Sequence, residues 1–271
     1  MSEASFPVRG GPKMIVGMIH LAPLPGTPFH RSGDLPALLD TAVGSAIALH
    51  ANGADGCLVQ TVDRVYGVGE DCDPARLAAV SVIVREIARA TSPDFQIGVQ
   101  IMRNALQASM AAAKVAGGSF IRASTLVGET SSPQGPVTAN PLGLMEYRNR
   151  IGAWDIKVIA DIHSMHFRWR GESRPLGEIA RLALQSGADG LCVGERDETV
   201  TLRLIEEIRA AAPDAPVILA GYTDHANAAR LLAAADGAFV GSALETDGWA
   251  GAIDPARVRA YVDAVRNAPS R

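Results

Sequence analysis

A single (β/α)8 TIM barrel of the phosphate-binding type is predicted by three observations. Short apolar runs alternate with amphipathic Ala- and Leu-rich stretches about eight times along the chain. At 271 residues and 48% hydrophobic content the chain is long enough to close one such barrel, which takes about 250 residues. The last cycle ends in Ala-Asp-Gly-Ala-Phe-Val-Gly-Ser at 235–242, and a Gly-Ser just after the final strand of a parallel barrel is a common place to hold a phosphate. Residues 1–271 are therefore expected to form one domain, with 1–12 flexible ahead of the first strand.

Residues 14–19 form a continuous apolar run suited to a strand buried on both faces, and 35–52 form a helix that stops at Gly53. Further strands are expected at 56–60, 95–101, 119–123, 156–161, 190–193, 217–220 and 237–240. Helices are expected between them at 74–90, 105–115, 142–152, 176–185, 198–211 and 225–234, with 255–266 closing the chain. Pro74 and Pro255 each follow an aspartate, the pattern of an N-cap followed by proline in the first turn.

An Ala-Asp-Gly repeat at 54–56, 188–190 and 235–237 marks the turn from a helix end into the next strand. Because it enters strands at their N-terminal ends, it belongs to the bottom face of the barrel and carries no chemistry. Two long connections, 22–31 and 124–141, follow strand C-terminal ends and are expected to lie over the mouth as lids. Of the three cysteines, Cys57 and Cys192 fall inside strands as small buried hydrophobes, and Cys72 is expected on the surface.

A formal net charge of -4, with Lys and Arg scattered along the chain, gives no basic patch for nucleic acid or acidic membranes. No signal-peptide core precedes the first strand and no apolar run is long enough to span a bilayer, so a soluble, cytoplasmic protein is expected. The expected partner is a small, phosphorylated molecule. The Ala-rich helices on the outside of the barrel are also compatible with a homo-oligomer.

Barrel chemistry comes from strand C-terminal ends, which turns the strand assignments into a set of candidate residues. They are His20 after the first strand, Gln60 and Asp63 after the second, Gln100, Arg103 and Asn104 after the third, and Arg122 ending the fourth. Asp161, His163 and His166 end the fifth, followed by Glu195, Gly221 with Tyr222, and Gly241 with Ser242. Asp161-Ile-His163-Ser-Met-His166 is the densest group. Strand alternation aims Asp161 and His163 at one face, where they fit either acid/base work or, with His20 or Glu195 added, a divalent metal site. Arg103 and Arg122 suit bidentate binding of carboxylate or phosphate, or ion pairs with Asp63, Asp161 or Glu195. Gly221, Gly241 and Ser242 permit close backbone approach to a phosphate, with Tyr222 narrowing the cradle.

Met14-Ile-Val-Gly-Met-Ile-His-Leu-Ala-Pro-Leu-Pro-Gly-Thr-Pro, Arg103-Asn104, Phe120-Ile-Arg122, Asp161, His166, the 235–242 segment and Asp247-Gly248 resemble the BtpA/SgcQ family over nearly the whole chain. The resemblance implies a barrel related to phosphate-binding enzymes such as phosphoribosylanthranilate isomerase, and a link to photosystem I biogenesis through the founding member. This chain departs from the family pattern at the mouth. Gln60-Thr-Val-Asp63-Arg stands where the family has Glu-Asn-Phe-Gly-Asp, Ala105 replaces an aspartate, Met165 a lysine, and Ala220-Gly221-Tyr222 a Gly-Ser-Gly. The resemblance with these departures implies a divergent subgroup of that family.

The favoured expectation is an isomerase or lyase acting by proton transfer on a phosphorylated sugar or ribose-like metabolite, without a cofactor. His20 and His166 would move protons and Asp161 would orient an imidazole. Gln60, Asp63, Arg103, Asn104, Arg122 and Glu195 would bind the substrate, and Gly221, Gly241 and Ser242 its phosphate. Two alternatives stay open: a metal-dependent hydrolase built on Asp161, His163 and His166, and a non-catalytic assembly factor.

Overall fold

The computed structural model describes residue 7 and residues 9–246 and 248–267. Most of the N-terminal segment expected to be flexible (1–6 and 8), and Asp247 of the family motif, lie outside the described residues. Eight parallel strands close into a barrel with helices between them. In chain order the strands are β1 (Met14–Leu21), β2 (Gly56–Thr61), β3 (Gln96–Gln100), β4 (Phe120–Ala123), β7 (Lys157–His163), β8 (Gly190–Val193), β9 (Val217–Leu219) and β10 (Gly237–Val240). A separate antiparallel pair, β5 (Glu129–Ser132) and β6 (Gly135–Thr138), lies within the connection after β4. The helices are α1 (Leu35–Ala51), α2 (Pro74–Ala90), α3 (Leu106–Ala116), α4 (Pro141–Arg150), α5 (Leu176–Gln185), α6 (Glu198–Ala211), α7 (Ala228–Ala234) and α8 (Pro255–Arg266). No helix among the described residues is long and apolar enough to cross a membrane.

Strand alternation divides the core in two. Val16, Met18, Leu58, Phe120, Ile159, Cys192, Ile218 and Phe239 fill the barrel, with the Phe120 and Phe239 rings stacked at 6.0 Å. The intervening positions, such as Ile15, Ile19, Val59 and Ile121, pack outward against the helices. Gly98 makes room for Phe120, because a Cβ there would fall 2.2 Å from the ring.

Capping agrees with the sequence at α2 and α8. Asp73 accepts from the N–H of Ala75 and Arg76, and Asp254 from those of Ala256 and Arg257. Helix α7 starts three residues later than its apolar pattern predicts. There Asp224 Oδ1 accepts from the N–H groups of Ala226 and Asn227, and Asn227 Oδ1 accepts from the N–H of Asp224. This local side-chain turn competes with helix.

The Ala-Asp-Gly repeat works as a set of three clasps on the bottom face. Asp55, Asp189 and Asp236 accept the backbone N–H of Ile15, Val158 and Val217 on the preceding strands, at 2.8, 2.9 and 2.8 Å. Each also meets a helix-borne arginine: Arg266 at 2.8 Å, Arg148 at 2.9 Å and Arg209 at 2.6 Å. One side chain thus ties two neighbouring strands to the helical layer.

The connection at 124–141, expected as a lid over the mouth, has regular structure of its own. It folds into the β5–β6 hairpin, held by the Thr130–Trp169 bridge and by Trp169 packed over Gly128, whose positive φ of 66° suits glycine. Neither this connection nor the 22–31 loop lines the cavity described next.

Candidate functional site

Toward the C-terminal ends of the strands the barrel interior changes from apolar to polar. Two residues beyond Met18, Leu58, Phe120 and Ile159 come His20, Gln60, Arg122 and Asp161. Above them opens a cavity of about 450 Å³, lined by His20, Gln60, Arg103, Arg122, His166, Gly221, Gly241 and Ser242 among the expected residues. Thr61, Tyr66, Met165, Arg196, Tyr222 and Trp249 complete much of the wall. The other expected residues stand elsewhere, each for an identifiable reason.

Asp161 lies under the cavity floor, fully buried. Its two oxygens accept from Arg122 Nε at 3.2 Å and Nη2 at 3.0 Å, and the guanidinium stacks over Phe239 at 4.9 Å. Its partner is therefore the Arg122 fork rather than the expected imidazole. Asp63 takes the buried Arg76, whose Nη2 also donates to Thr61 Oγ1 and to the Met102 carbonyl. Burial pushes the Asp63 carboxyl above its ordinary value while the Arg76 cation pulls it down. Asn104 clamps the start of the next connection, donating to the Thr125 carbonyl at 3.0 Å and accepting its N–H at 2.9 Å. Gln100 bridges Gln60 and Ser124.

His163 and Glu195 pair with each other at 3.0 Å, and Glu195 also meets Arg168 at 2.5 Å. A register shift in β7 between Asp161 and His163 breaks the alternation that would have aimed both side chains at the mouth. Asp161, His163 and His166 consequently do not converge. Among the described residues no group of three or more His, Cys, Asp or Glu side chains is placed to hold a metal ion.

The two histidines on the cavity have opposite neighbours. His20 Nδ1 lies 3.0 Å from Glu245 Oε1, and both side chains are buried. Glu245 is fixed in turn by the N–H of Ala250, 2.9 Å from Oε2, and Trp249 leans over the His20 ring at 5.4 Å. A carboxylate at Nδ1 assigns the proton to that nitrogen and leaves a lone pair on Nε2. His166 Nδ1 faces Arg103 Nη1 at 3.4 Å. Guanidinium only donates, so His166 carries its proton on Nε2. Burial, then the Arg122 and Arg103 cations and His20, hold the His166 imidazole well below its ordinary pKa of 6.5, so it is neutral at pH 7.

That shift predicts a pH dependence of stability. In the unfolded chain His166 titrates near its ordinary value of 6.5. Below this the unfolded state takes up a proton that the native state refuses, so stability falls as the pH drops from there toward the depressed native value. The slope from this group reaches at most about 1.4 kcal/mol per pH unit. Urea unfolding of wild type and His166→Gln from about pH 7.5 to about pH 5 will show a shallower slope in the variant. Equal slopes would mean that His166 titrates normally.

After β9 and β10 the wall of the cavity is backbone. Gly221 has a φ of 96° and Tyr222 of 59°. The N–H groups of Gly221, Tyr222 and Ser242 have no acceptor among the described residues. After β10 a turn at 241–244, closed by Leu244 N–H on the Gly241 carbonyl at 2.8 Å, takes the place of the short helix usual in phosphate-binding barrels. A Cβ on Gly241 would lie 3.5 Å from His20 Cε1, which puts this turn against the His20 ring. Glu245, Tyr66, Arg196 and Trp249 escaped the sequence reading because none ends a strand.

Barrel and cavity together define a (β/α)8 protein whose mouth bears three arginines and two histidines. The chain belongs to the BtpA family, whose model matches residues 12–267. The photosystem I biogenesis protein BtpA of Synechocystis sp. is 30% identical over 93% of this chain and 87% of its own length. Among solved structures, tryptophan synthase of Mycobacterium tuberculosis superposes with a TM-score of 0.59 at 18% identity, over 95% of this chain and 92% of that one. Thiamine phosphate pyrophosphorylase of Pyrococcus furiosus does so with 0.58 at 16% identity, over 94% and 96%. At these identities the structural likeness establishes the barrel fold alone.

Proposed function

We propose that the protein is an isomerase or lyase that moves a proton on a phosphorylated sugar or ribose-like metabolite. The observation that carries this reading is the buried Glu245–His20 pair beside Gly241: a braced imidazole with a free Nε2, adjoining unpaired backbone donors. Gly221, Gly241 and Ser242 hold the phosphate through backbone N–H groups. His20 Nε2 takes a proton from a carbon next to a carbonyl. The electron pair of the broken C–H bond moves onto the carbonyl oxygen, giving an enediolate, and His166 Nε2–H donates a hydrogen bond to that oxygen. Passage of the hydroxyl proton from one enediolate oxygen to the other, with return of the carbon proton from His20 Nε2 to the former carbonyl carbon, completes an isomerisation, whereas departure of a leaving group with its bonding electrons from the carbon next to the enediolate completes an elimination. The two histidines thus divide the work expected of both, one as base and one as neutral donor. The phosphate ester in the name of thiamine phosphate pyrophosphorylase, a structural neighbour, is consistent with such a substrate.

The test is hydrogen exchange. Incubated in deuterated buffer with a panel of aldose and ketose phosphates, the protein is expected to introduce deuterium at the carbon next to the carbonyl of at least one of them, as read by NMR. No exchange with any member, with and without added divalent metal, would overturn the reading. It would favour the assembly role suggested by the name of the Synechocystis relative.

A further inference from the structure

Among the described residues the ionisable groups on the cavity wall are Arg103, Arg122, Arg196, two histidines and Tyr66, and no described Asp or Glu lines it. The three arginines are not equivalent. Arg122 is matched by the Asp161 carboxylate beneath it, and Arg196 is exposed at the rim beside the Tyr222 ring. Arg103 is half-buried and forms no ion pair with any described residue. Its guanidinium rests over the Tyr66 ring at 5.4 Å and touches His166 through Nη1, while its Nε is buried with no hydrogen-bond partner. A cation withdrawn from water with an orphaned donor is costly unless something supplies the missing negative charge.

Arg103 follows β3, and Gly221 follows β9. In the closed order β1-β10-β9-β8-β7-β4-β3-β2, these two strands are four places apart in a ring of eight. The orphaned cation therefore stands across the mouth from the phosphate cradle, with His20 and His166 on the walls between.

We infer that the substrate is anionic at both ends: a phosphate ester at Gly221, Gly241 and Ser242, and a carboxylate at the Arg103 guanidinium. The inference rests on the phosphate reading above and extends it to the class of phosphorylated carboxylic acids. The Nε–Nη2 edge of Arg103, away from the Nη1 contact with His166, has no partner among the described residues, and its geometry matches the two oxygens of a carboxylate side-on. A carboxylate there also completes the charge pattern of the cavity, in which the only other buried guanidinium already has its carboxylate in Asp161.

Calorimetric titration of the full chain with three small probes tests this. Glycerol 3-phosphate carries the ester alone, glycerate the carboxylate alone, and 3-phosphoglycerate both. The expected result is that 3-phosphoglycerate binds at least about tenfold tighter than glycerol 3-phosphate. Arg103→Met is expected to abolish that preference while leaving glycerol 3-phosphate affinity within about twofold. Arg103→Lys, which keeps the charge and loses the fork, is expected to lose most of the preference. Equal binding of the two phosphate esters by wild type, or equal weakening of both by Arg103→Met in a protein with an unchanged melting temperature, would overturn the inference. Glycerate binding that depends on Arg103, in a protein that ignores glycerol 3-phosphate, would overturn the phosphate reading and leave the carboxylate site standing. Failure of all three probes to bind would overturn both.

Discussion

Asp161→Ala is expected to lower the free energy of unfolding by about 3–5 kcal/mol, the largest stability loss of any single change at the mouth. The pair it breaks is completely enclosed, with Arg122 3% exposed and Asp161 not at all. Little of the cost is the attraction lost, because burying two charges already offsets most of it. The cost lies in the guanidinium left behind, buried over Phe239 with the acceptors of Nε and Nη2 removed. Changing both partners together, Arg122→Met with Asp161→Leu, is therefore expected to recover most of the loss, as apolar replacements of buried pairs commonly do. Urea unfolding extrapolated to water measures both. A loss under about 1 kcal/mol for Asp161→Ala would mean that the pair behaves like a solvated one and that the floor of the cavity is wet.

The second large effect concerns the rate. His20→Gln is expected to slow deuterium exchange into substrate by about 10²–10⁴-fold, the usual range for removing a positioned base, with phosphate affinity little changed. Glu245→Gln keeps the shape of the side chain and its bond to the Ala250 N–H, but removes the charge that holds the His20 tautomer, so about a 10²-fold loss is expected. Because Glu245 acts only through His20, the double variant is expected to be no slower than His20→Gln alone. Losses that multiply in the double variant would assign Glu245 a role independent of the imidazole.

Much of this site can be found in the sequence by parity. Once Met18, Leu58, Phe120 and Ile159 are placed inside the barrel, the residues two further on are aimed into its mouth, which yields His20, Gln60, Arg122 and Asp161 without knowledge of any contact. What parity cannot supply is the choice of partner. Asp63 and Asn104 are polar, at strand ends and within reach of the mouth, but Arg76 at the start of α2 and the backbone of Thr125 claim them first. His163 obeys the alternation in sequence and leaves it in space, because a bulge has no signature in side-chain pattern alone. Glu245, the brace of His20, comes from an isolated bridge with Ile253 in the connection after β10, with no period to extrapolate. The pairing of long-range partners, rather than the location of the mouth, is the information that only three dimensions contain.

The aspartate clasps on the bottom face have a consequence for how such a chain can change over generations. Asp55, Asp189 and Asp236 join strands to one another and to α8, α4 and α6 at the end of the barrel away from the cavity. Much of the scaffold's closure is thereby secured where no ligand reaches. The residues of the rim, Tyr66, Met165, Arg196, Tyr222 and Trp249, sit in connections outside the barrel strands and outside these clasps, so their replacement is expected to leave the ring of strands closed. The mouth is free to drift toward new molecules while the barrel persists.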